Sequence, residues 1–375
     1  MIAAVLVVSL AIPQPASAAP GIWSPTGNLN TAREWHTATL LVDGRVLVAG
    51  GFVNNATASA EFYNPATGTW TNTDNLSAAR HSHTATLLAD GQVLVVGGYG
   101  LSAPLASAQR YNPGTGHWEN TNPLSTARYL HTATRLADGR VLVAGGENSF
   151  SGRLNSAQIY NPATGIWANT GSLGTARHGH TATLLANGRV LVAGGYDASD
   201  DWTASAEIFN PAANGGIGAW SGTDSLDTAR YFHTATLLAD GRVLVAGGTG
   251  HSMPAIAELF DPTADGGVGA WSDAGSIGTG RYKHTATLLA DGRVLVAGGY
   301  NGYYLAIAQY YSPEDGTWAN TDSLGLGRRN HTATLLADGR VLVAGGFGDS
   351  GYLASAEIFI PHQGSLAFLL LLLGD

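Results

Sequence analysis

The sequence predicts an all-β protein assembled from seven copies of one small antiparallel sheet, and three observations carry that prediction. The phrase HTATLLADGRVLVAGG at 233–248 returns nearly unchanged at 284–299 and 331–346, with looser copies opening at His36, His83, His131 and His180. Successive histidines are 47, 48, 49, 53, 51 and 47 residues apart, a period that suits one unit of several strands. Charged residues make up only 12% of the 375 residues, while 51 glycines interrupt short apolar runs, the composition of a turn-rich β chain.

From the N-terminus, residues 1–18 read as a signal peptide. The apolar run IAAVLVVSLAI at 2–12 is followed by Pro13, Pro15 and the small triplet Ala16-Ser17-Ala18, which suits a cleavage site. The mature chain is expected to begin near Ala19 and to be secreted, periplasmic or held at the cell surface. Residues 19–362 are the repeat domain. In each unit HTAT forms a first strand, and Asp-Gly (Asn187-Gly188 in the fourth copy) is expected to form a two-residue type I′ turn. On that reading these Asp and Asn residues serve by tolerating the turn's backbone angles, not by their charge. The second strand, VLVA in most copies, is apolar at consecutive positions and needs cover on both faces. A Gly-Gly pair and a stretch of changing content follow. Then come a third strand such as SAEIF at 205–209, a Pro-containing turn, and a fourth strand centred on a tryptophan such as Trp220.

Four short strands cannot bury two apolar faces alone, but set radially each sheet covers its neighbours, which predicts a seven-bladed β-propeller. Six tryptophans close units: Trp70, Trp118, Trp167, Trp220, Trp271 and Trp318. The seventh, Trp23 in GIWSPTGN, precedes the first unit and is expected to complete the last blade, so that the chain's two ends share one sheet. The apolar tail at 363–375, with LAFLLLLL at 366–373, is shorter than the roughly 20 residues that cross a bilayer as a helix. No integral membrane span is expected, and no role is assigned to the tail.

A net charge of −9 argues against nucleic acid as a partner, which requires clustered cations. Thirteen of the 18 basic residues fall in two recurring slots, three places before each motif histidine or directly after the turn glycine, so no basic patch is left over. The absence of cysteine excludes disulfides, thiolate metal sites and thiol nucleophiles.

Arg-x-x-His-Thr-Ala, the Gly-Gly pair, Tyr-Asn-Pro or Phe-Asn-Pro on the third strand, and Thr-Gly-x-Trp before the fourth recur in order across almost the whole mature chain. Departures are small, such as Ser312 for Asn and Ile360 in the last unit. The unit resembles a kelch repeat. The resemblance implies a kelch-type propeller related to that of galactose oxidase. It also implies no single activity, because kelch proteins bind partners, adhere, epimerise sialic acid or oxidise sugars with copper. The copper radical site of galactose oxidase joins a tyrosine to a cysteine, which this chain lacks. No cofactor or metal is therefore expected.

Residues repeated in the same slot of every unit solve a problem every unit has. The seven motif histidines and Arg33, Arg80, Arg128, Arg177, Arg230, Arg281 and Arg328 are accordingly expected to be structural. The glycine pairs lead into no helix and are no phosphate cradle. Function is expected on the face formed by the loops after strands two and four, which carry nearly all the variation. Between Arg and His these are Glu34-Trp35, His81, Tyr129, His178, Tyr231-Phe232, Tyr282-Lys283 and Arg329-Asn330. After the glycine pairs they are Glu147, Asn148, Arg153, Tyr196, Asp197, Trp202, Tyr300, Asn301, Tyr303 and Tyr304. Rigid aromatics beside amides and charges suit a sugar ring or a peptide. The expectation is a monomeric, exported, non-catalytic module that binds a carbohydrate or protein ligand. One alternative is an enzyme resembling kelch-type N-acetylneuraminate epimerases, with Glu34, Glu147 or His178 moving a proton. Another is a scaffold or adhesion protein of the cell envelope.

Overall fold

The computed structural model describes residues 21–361, so the expected signal peptide at 1–18 and the tail at 363–375 lie outside the described residues. Seven four-stranded antiparallel sheets surround a common axis. In the first blade the strands run Thr37–Leu40, Val46–Ala49, Ala60–Asn64 and Thr69–Thr73 in simple meander order, and the other blades repeat it. The first strands neighbour one another round the axis, the strand at Thr37–Leu40 touching both Thr84–Leu87 and Thr332–Leu335. The tryptophan-bearing strands are outermost.

Ring closure is as the sequence predicts. Ile22–Pro25 pairs antiparallel with Ala356–Ile360, with Trp23 opposite Phe359, and so supplies the fourth strand of the seventh blade. Every outer tryptophan donates its indole N–H to a backbone carbonyl of the preceding blade, at 2.7–2.9 Å. Trp23 does the same to Asp322, across the chain's ends.

The consecutive apolar residues of the second strand divide between two neighbours. Val46 and Val48 pack with Leu342, Ala356 and Ile358 of the last blade. Leu47 and Ala49 pack with Val93, Val95 and Tyr111 of the second blade. Seven such clusters, one at each blade interface, form the core.

The turn after the first strand corrects the expectation of a two-residue type I′ hairpin. Gly44 alone has positive φ (85°), its N–H donates to Leu41 O at 3.0 Å, and Leu41 N–H donates to Arg45 O at 2.8 Å. This is a three-residue loop in which a turn is followed by a glycine bulge. Asp43 keeps negative φ, so tolerance of positive φ is not its use. In all seven blades the Asp or Asn oxygen accepts the N–H of the residue two places on. Charge adds to this in five of them, where the carboxylate pairs with the following arginine.

A second correction concerns variation. The long spacings of 53 and 51 residues arise in the fourth and fifth blades, where extra residues between strands three and four form the short turns Ala213–Gly216 and Asp265–Gly267. These lie on the Asp-Gly face, so length variation is not confined to the other side. Among the described residues no helix is long and apolar enough to cross a membrane.

Candidate functional site

The repeat builds a framework that the variable residues then decorate. Each motif arginine is fully buried; Arg33 donates from Nε to Thr31 O, from Nη1 to Gly50 O and Ser59 O, and from Nη2 to Ser59 Oγ and Glu61. One arginine thus ties the glycine pair to the third strand. Its partner is Glu in four blades, at Glu61, Glu207, Glu258 and Glu357. Gln109, Gln158 and Gln309 occupy the slot in the other three. Burial without a carboxylate pulls the guanidinium groups of Arg80, Arg128 and Arg281 down to about 10.

Histidines join the blades. Each motif imidazole Nε2 lies 2.9–3.0 Å from the first-strand threonine Oγ1 of the preceding blade, and His36 meets Thr332 to complete a ring of seven. Thr37, Thr132, Thr234 and Thr285 also lie 3.5 Å from a carbonyl of their own second strand. Burial, reinforced by the adjacent arginine, lowers the pKa of His36, His131 and His284 to about 3. The first glycine of each pair makes room for this ring. A Cβ on Gly50 would meet Arg80 O at 2.6 Å and His83 Cε1 at 2.7 Å.

Above the histidines the two residues between Arg and His have distinct fates. The second of them, Trp35, Ser82, Leu130, Gly179, Phe232, Lys283 or Asn330, adopts positive φ of 52–60° in every blade. Their N–H and C=O groups link head to tail in a closed ring of backbone hydrogen bonds of 3.1–3.3 Å round the axis. Bulky residues rarely adopt this conformation, and such residues concentrate at functional sites. The side chains of Trp35, Phe232, Lys283 and Asn330, with six of the seven motif histidines beneath, line an axial pocket of about 270 Å³. The rings of Trp35 and Phe232 stand 5.3 Å apart, and Asn330 Nδ2 donates to Glu34.

The first of the two residues pairs with the residue after the glycine pair in every blade: Glu34 with Phe52, His81 with Tyr99, Tyr129 with Glu147, His178 with Tyr196, Tyr231 with Thr249, Tyr282 with Tyr300, and Arg329 with Phe347. The two variable loops of each blade therefore meet on one face, as expected. Their side chains form an aromatic belt round the pocket. It runs from Tyr282 through Tyr300, Tyr304, Phe347, Tyr352, Phe52, His81 and Tyr99 to Tyr129, with neighbouring rings 4.9–5.9 Å apart. Glu147 lies 3.5 Å from His178 Nδ1. From His178 the belt resumes through Tyr196 and Tyr231 to Phe232. Arg329 lies over Tyr300 at 4.9 Å and Arg153 over Tyr196 at 4.9 Å. Burial depresses the His178 pKa, opposed by Glu147 and helped by Arg153.

Other sequence-predicted residues stand apart. Asn148, Asp197 and Asn301 accept N–H groups of their own loops and shape them. Trp202 packs on His251 at the edge of the belt, and Tyr303 is 80% exposed. Sequence reasoning missed Phe52, Tyr99, Phe347 and Tyr352, though all but Tyr352 directly follow a Gly-Gly pair and were visible as an aromatic series. It also missed that the framework histidines floor the pocket.

Residues 105–308, more than half of the chain, match the family model described as Attractin/LZTR1 beta-propeller, and residues 36–77 and 80–125 match the Kelch motif. No curated protein matches the chain. Among solved structures, a fungal alcohol oxidase of the AA5 family in complex with copper is similar, with a TM-score of 0.75 and 19% identity over 91% of this chain and 76% of that one. At that identity the likeness shows the fold alone. With seven kelch-type blades closed by an N-terminal strand and more than half the sequence matched by one family model, the chain belongs to the Attractin/LZTR1 β-propeller family of kelch-repeat proteins.

Proposed function

We propose that this propeller is an exported, non-catalytic recognition module that holds a glycan or a protein segment on its aromatic-belted face. The observation that carries the reading is the belt itself. Tyr99, Tyr196, Tyr300 and Tyr304 are partly exposed aromatics outside the blade cores, on the loops beside the residues that line the axial pocket, with Arg153 over Tyr196 and Arg329 over Tyr300 and Tyr304. Aromatic faces supply stacking area at low conformational cost, and the charged groups fix orientation. Export rests on the leader-like residues 1–18. Copper chemistry of the kind the fungal oxidase carries does not suit this donor set. Each axial imidazole Nε2 is already hydrogen-bonded to a threonine hydroxyl, the chain has no cysteine, and among the described residues no three His, Asp or Glu side chains group as metal ligands.

Glycan and peptide arrays probed with the mature protein test the reading. A Tyr196→Ala, Tyr300→Ala double variant should lose binding by about tenfold or more, because stacked anchors carry most of such affinity, with little change in thermal midpoint. Binding that survives the double substitution would move the site elsewhere. The pairing of Glu147 with His178 favours the enzymatic alternative. Exchange between the anomers of candidate sugars, followed by proton NMR with wild type and Glu147→Gln, would replace the binding reading if the protein accelerated it.

A further inference from the structure

The chain holds 18 basic residues, and only one of them, Lys283, is a lysine. That residue sits in the axial pocket. Its backbone has φ 56°, its N–H donates to Phe232 O at 3.2 Å, and its carbonyl accepts from Asn330 at 3.1 Å, so the closed backbone ring fixes where the side chain starts. Nζ lies 4.6 Å from the centre of the Trp35 ring, 4.9 Å from Phe232 and 5.6 Å from Tyr282. Among the described residues Nζ has no ion pair within 4 Å. Aromatic faces are therefore its nearest company, in a pocket whose other polar side chains include Ser82 and Asn330.

The use of lysine here separates two explanations. If a fixed positive charge were all the pocket required, arginine would serve, as it does at every other basic position of the chain. Arginine binds anions at least as well but cannot release its proton, whereas a desolvated lysine amine can and then becomes a nucleophile. The surroundings act in that direction. Burial first, and then the charge of Arg329, pull the Lys283 pKa down to about 8 against the opposing influence of Glu34. The cation–π contacts act the other way and favour the ammonium.

We propose that Lys283 is a covalent capture site, whose ε-amine forms a reversible imine with an aldehyde-bearing ligand, the open-chain form of a reducing sugar being the class that suits the pocket. The proposal rests on the reading of this face as the binding face and adds a bond to it. The neutral amine's lone pair attacks the carbonyl carbon, a C–N bond forms, and the carbonyl π pair, now on oxygen, takes up the proton that the nitrogen releases, which gives a carbinolamine. Loss of water yields the imine, and hydrolysis returns amine and aldehyde, so no oxidant or reductant takes part. Trp35 and Phe232 supply apolar faces for the carbon skeleton, while Ser82, Asn330 and six motif imidazoles are the polar groups of the lining that face its hydroxyls.

The experiment treats the folded protein with D-glyceraldehyde and sodium cyanoborohydride, which reduces an imine to a stable secondary amine, and maps the product by peptide mass spectrometry. At pH 7.5 Lys283 should be modified about tenfold or more faster than Nα-acetyl-lysine, because a pKa near 8 leaves far more of the amine neutral. Its rate should rise with pH and level off above about 8, while modification of the free lysine is still rising. Lys283→Arg should abolish this adduct and leave labelling of the chain's α-amine unchanged. Modification no faster than that of free lysine overturns the proposal, as does protection of Lys283 by simple carboxylates equal to that by unreduced aldoses, which would make the residue an ion-pairing anchor. Array ligands that still bind Lys283→Arg, with no adduct on the wild type, would remove the covalent step and leave the recognition reading standing. An adduct with empty arrays would do the reverse.

Discussion

At the residue scale the arginine slot shows how sequence repetition and charge interact. Each motif arginine is removed from water and donates up to five hydrogen bonds, but only four of the seven have a glutamate beside them. Removing one partner of a buried ion pair leaves the other uncompensated, at a cost of about 3–5 kcal/mol. The chain contains its own control, because glutamine occupies the same slot at Gln109, Gln158 and Gln309. Glu207→Ala should therefore destabilise the protein by roughly 3 kcal/mol in urea unfolding, whereas Glu207→Gln should cost about 1 kcal/mol or less. Equal losses from the two substitutions would show that charge, not hydrogen bonding, holds the slot. The structural role of the arginines was legible from their repetition. The partner was legible only as an alternation of Glu and Gln on the third strand, because nothing in the spacing says that the two side chains share one interior. The positive φ at Trp35, Phe232 and Lys283 was not legible at all. It arises from a ring of backbone hydrogen bonds that closes only when all seven blades are in place.

At the scale of strands and turns, local letters predicted existence better than geometry. The six Asp-Gly pairs and Asn187-Gly188 marked seven hairpins correctly, yet the turns close one residue wider than expected, with the Asp or Asn oxygen capping an N–H and the glycine alone in the left-handed region. Asp-Gly is compatible with both loops, and the carboxylate–arginine pairing that accompanies the wider one in five blades is a contact across the turn, not a property of the dipeptide. The closing strand was legible for the opposite reason. Trp23 carries the letters of a fourth strand at the only place where a fourth strand was missing. In the structure its strand pairs with Ala356–Ile360, Trp23 packs 4.9 Å from Phe359, and Leu29 enters the core between the last and first blades. Truncation before Thr31 should expose the outer face of the last blade and open that interface. The thermal midpoint should fall by roughly 10 °C or more, as expected from losing several kcal/mol in a chain of this size. An unchanged midpoint would mean that the blade interfaces alone hold the ring.

For the whole molecule, the property that no single blade possesses is the closed ring of histidines. Seven imidazoles bridge seven interfaces, all are buried, and all have their pKa lowered, to about 3 at His36, His131 and His284. In the unfolded chain each titrates near 6.5. Between those values the unfolded state binds more protons than the native state, so stability is complete above about pH 6.5 and declines as the pH falls toward 3. One buried neutral histidine contributes a slope of up to about 1.4 kcal/mol per pH unit; seven acting together remove roughly 9 kcal/mol between pH 7 and pH 5.5, comparable with the whole stability of a domain. The surface aspartates Asp43, Asp138, Asp240 and Asp338 also have lowered pKa values, but they lose their contribution only in the carboxylate range and from exposed turns, where it is small. The propeller should consequently unfold steeply between pH 6 and pH 5, with the ring contributing close to seven protons per molecule to the uptake at pH 5, and the half-buried His81 and the buried His178 adding to it, when unfolding by urea is followed in a pH-stat. Replacing one member of the ring, His131→Gln, keeps a hydrogen-bonding amide for Thr84 and should reduce that uptake by one while shifting the acid midpoint downward. A thermal midpoint that stays level from pH 7.5 to pH 5 would show that the ring is protonated in the native state, and that the imidazoles hold the blades together as cations.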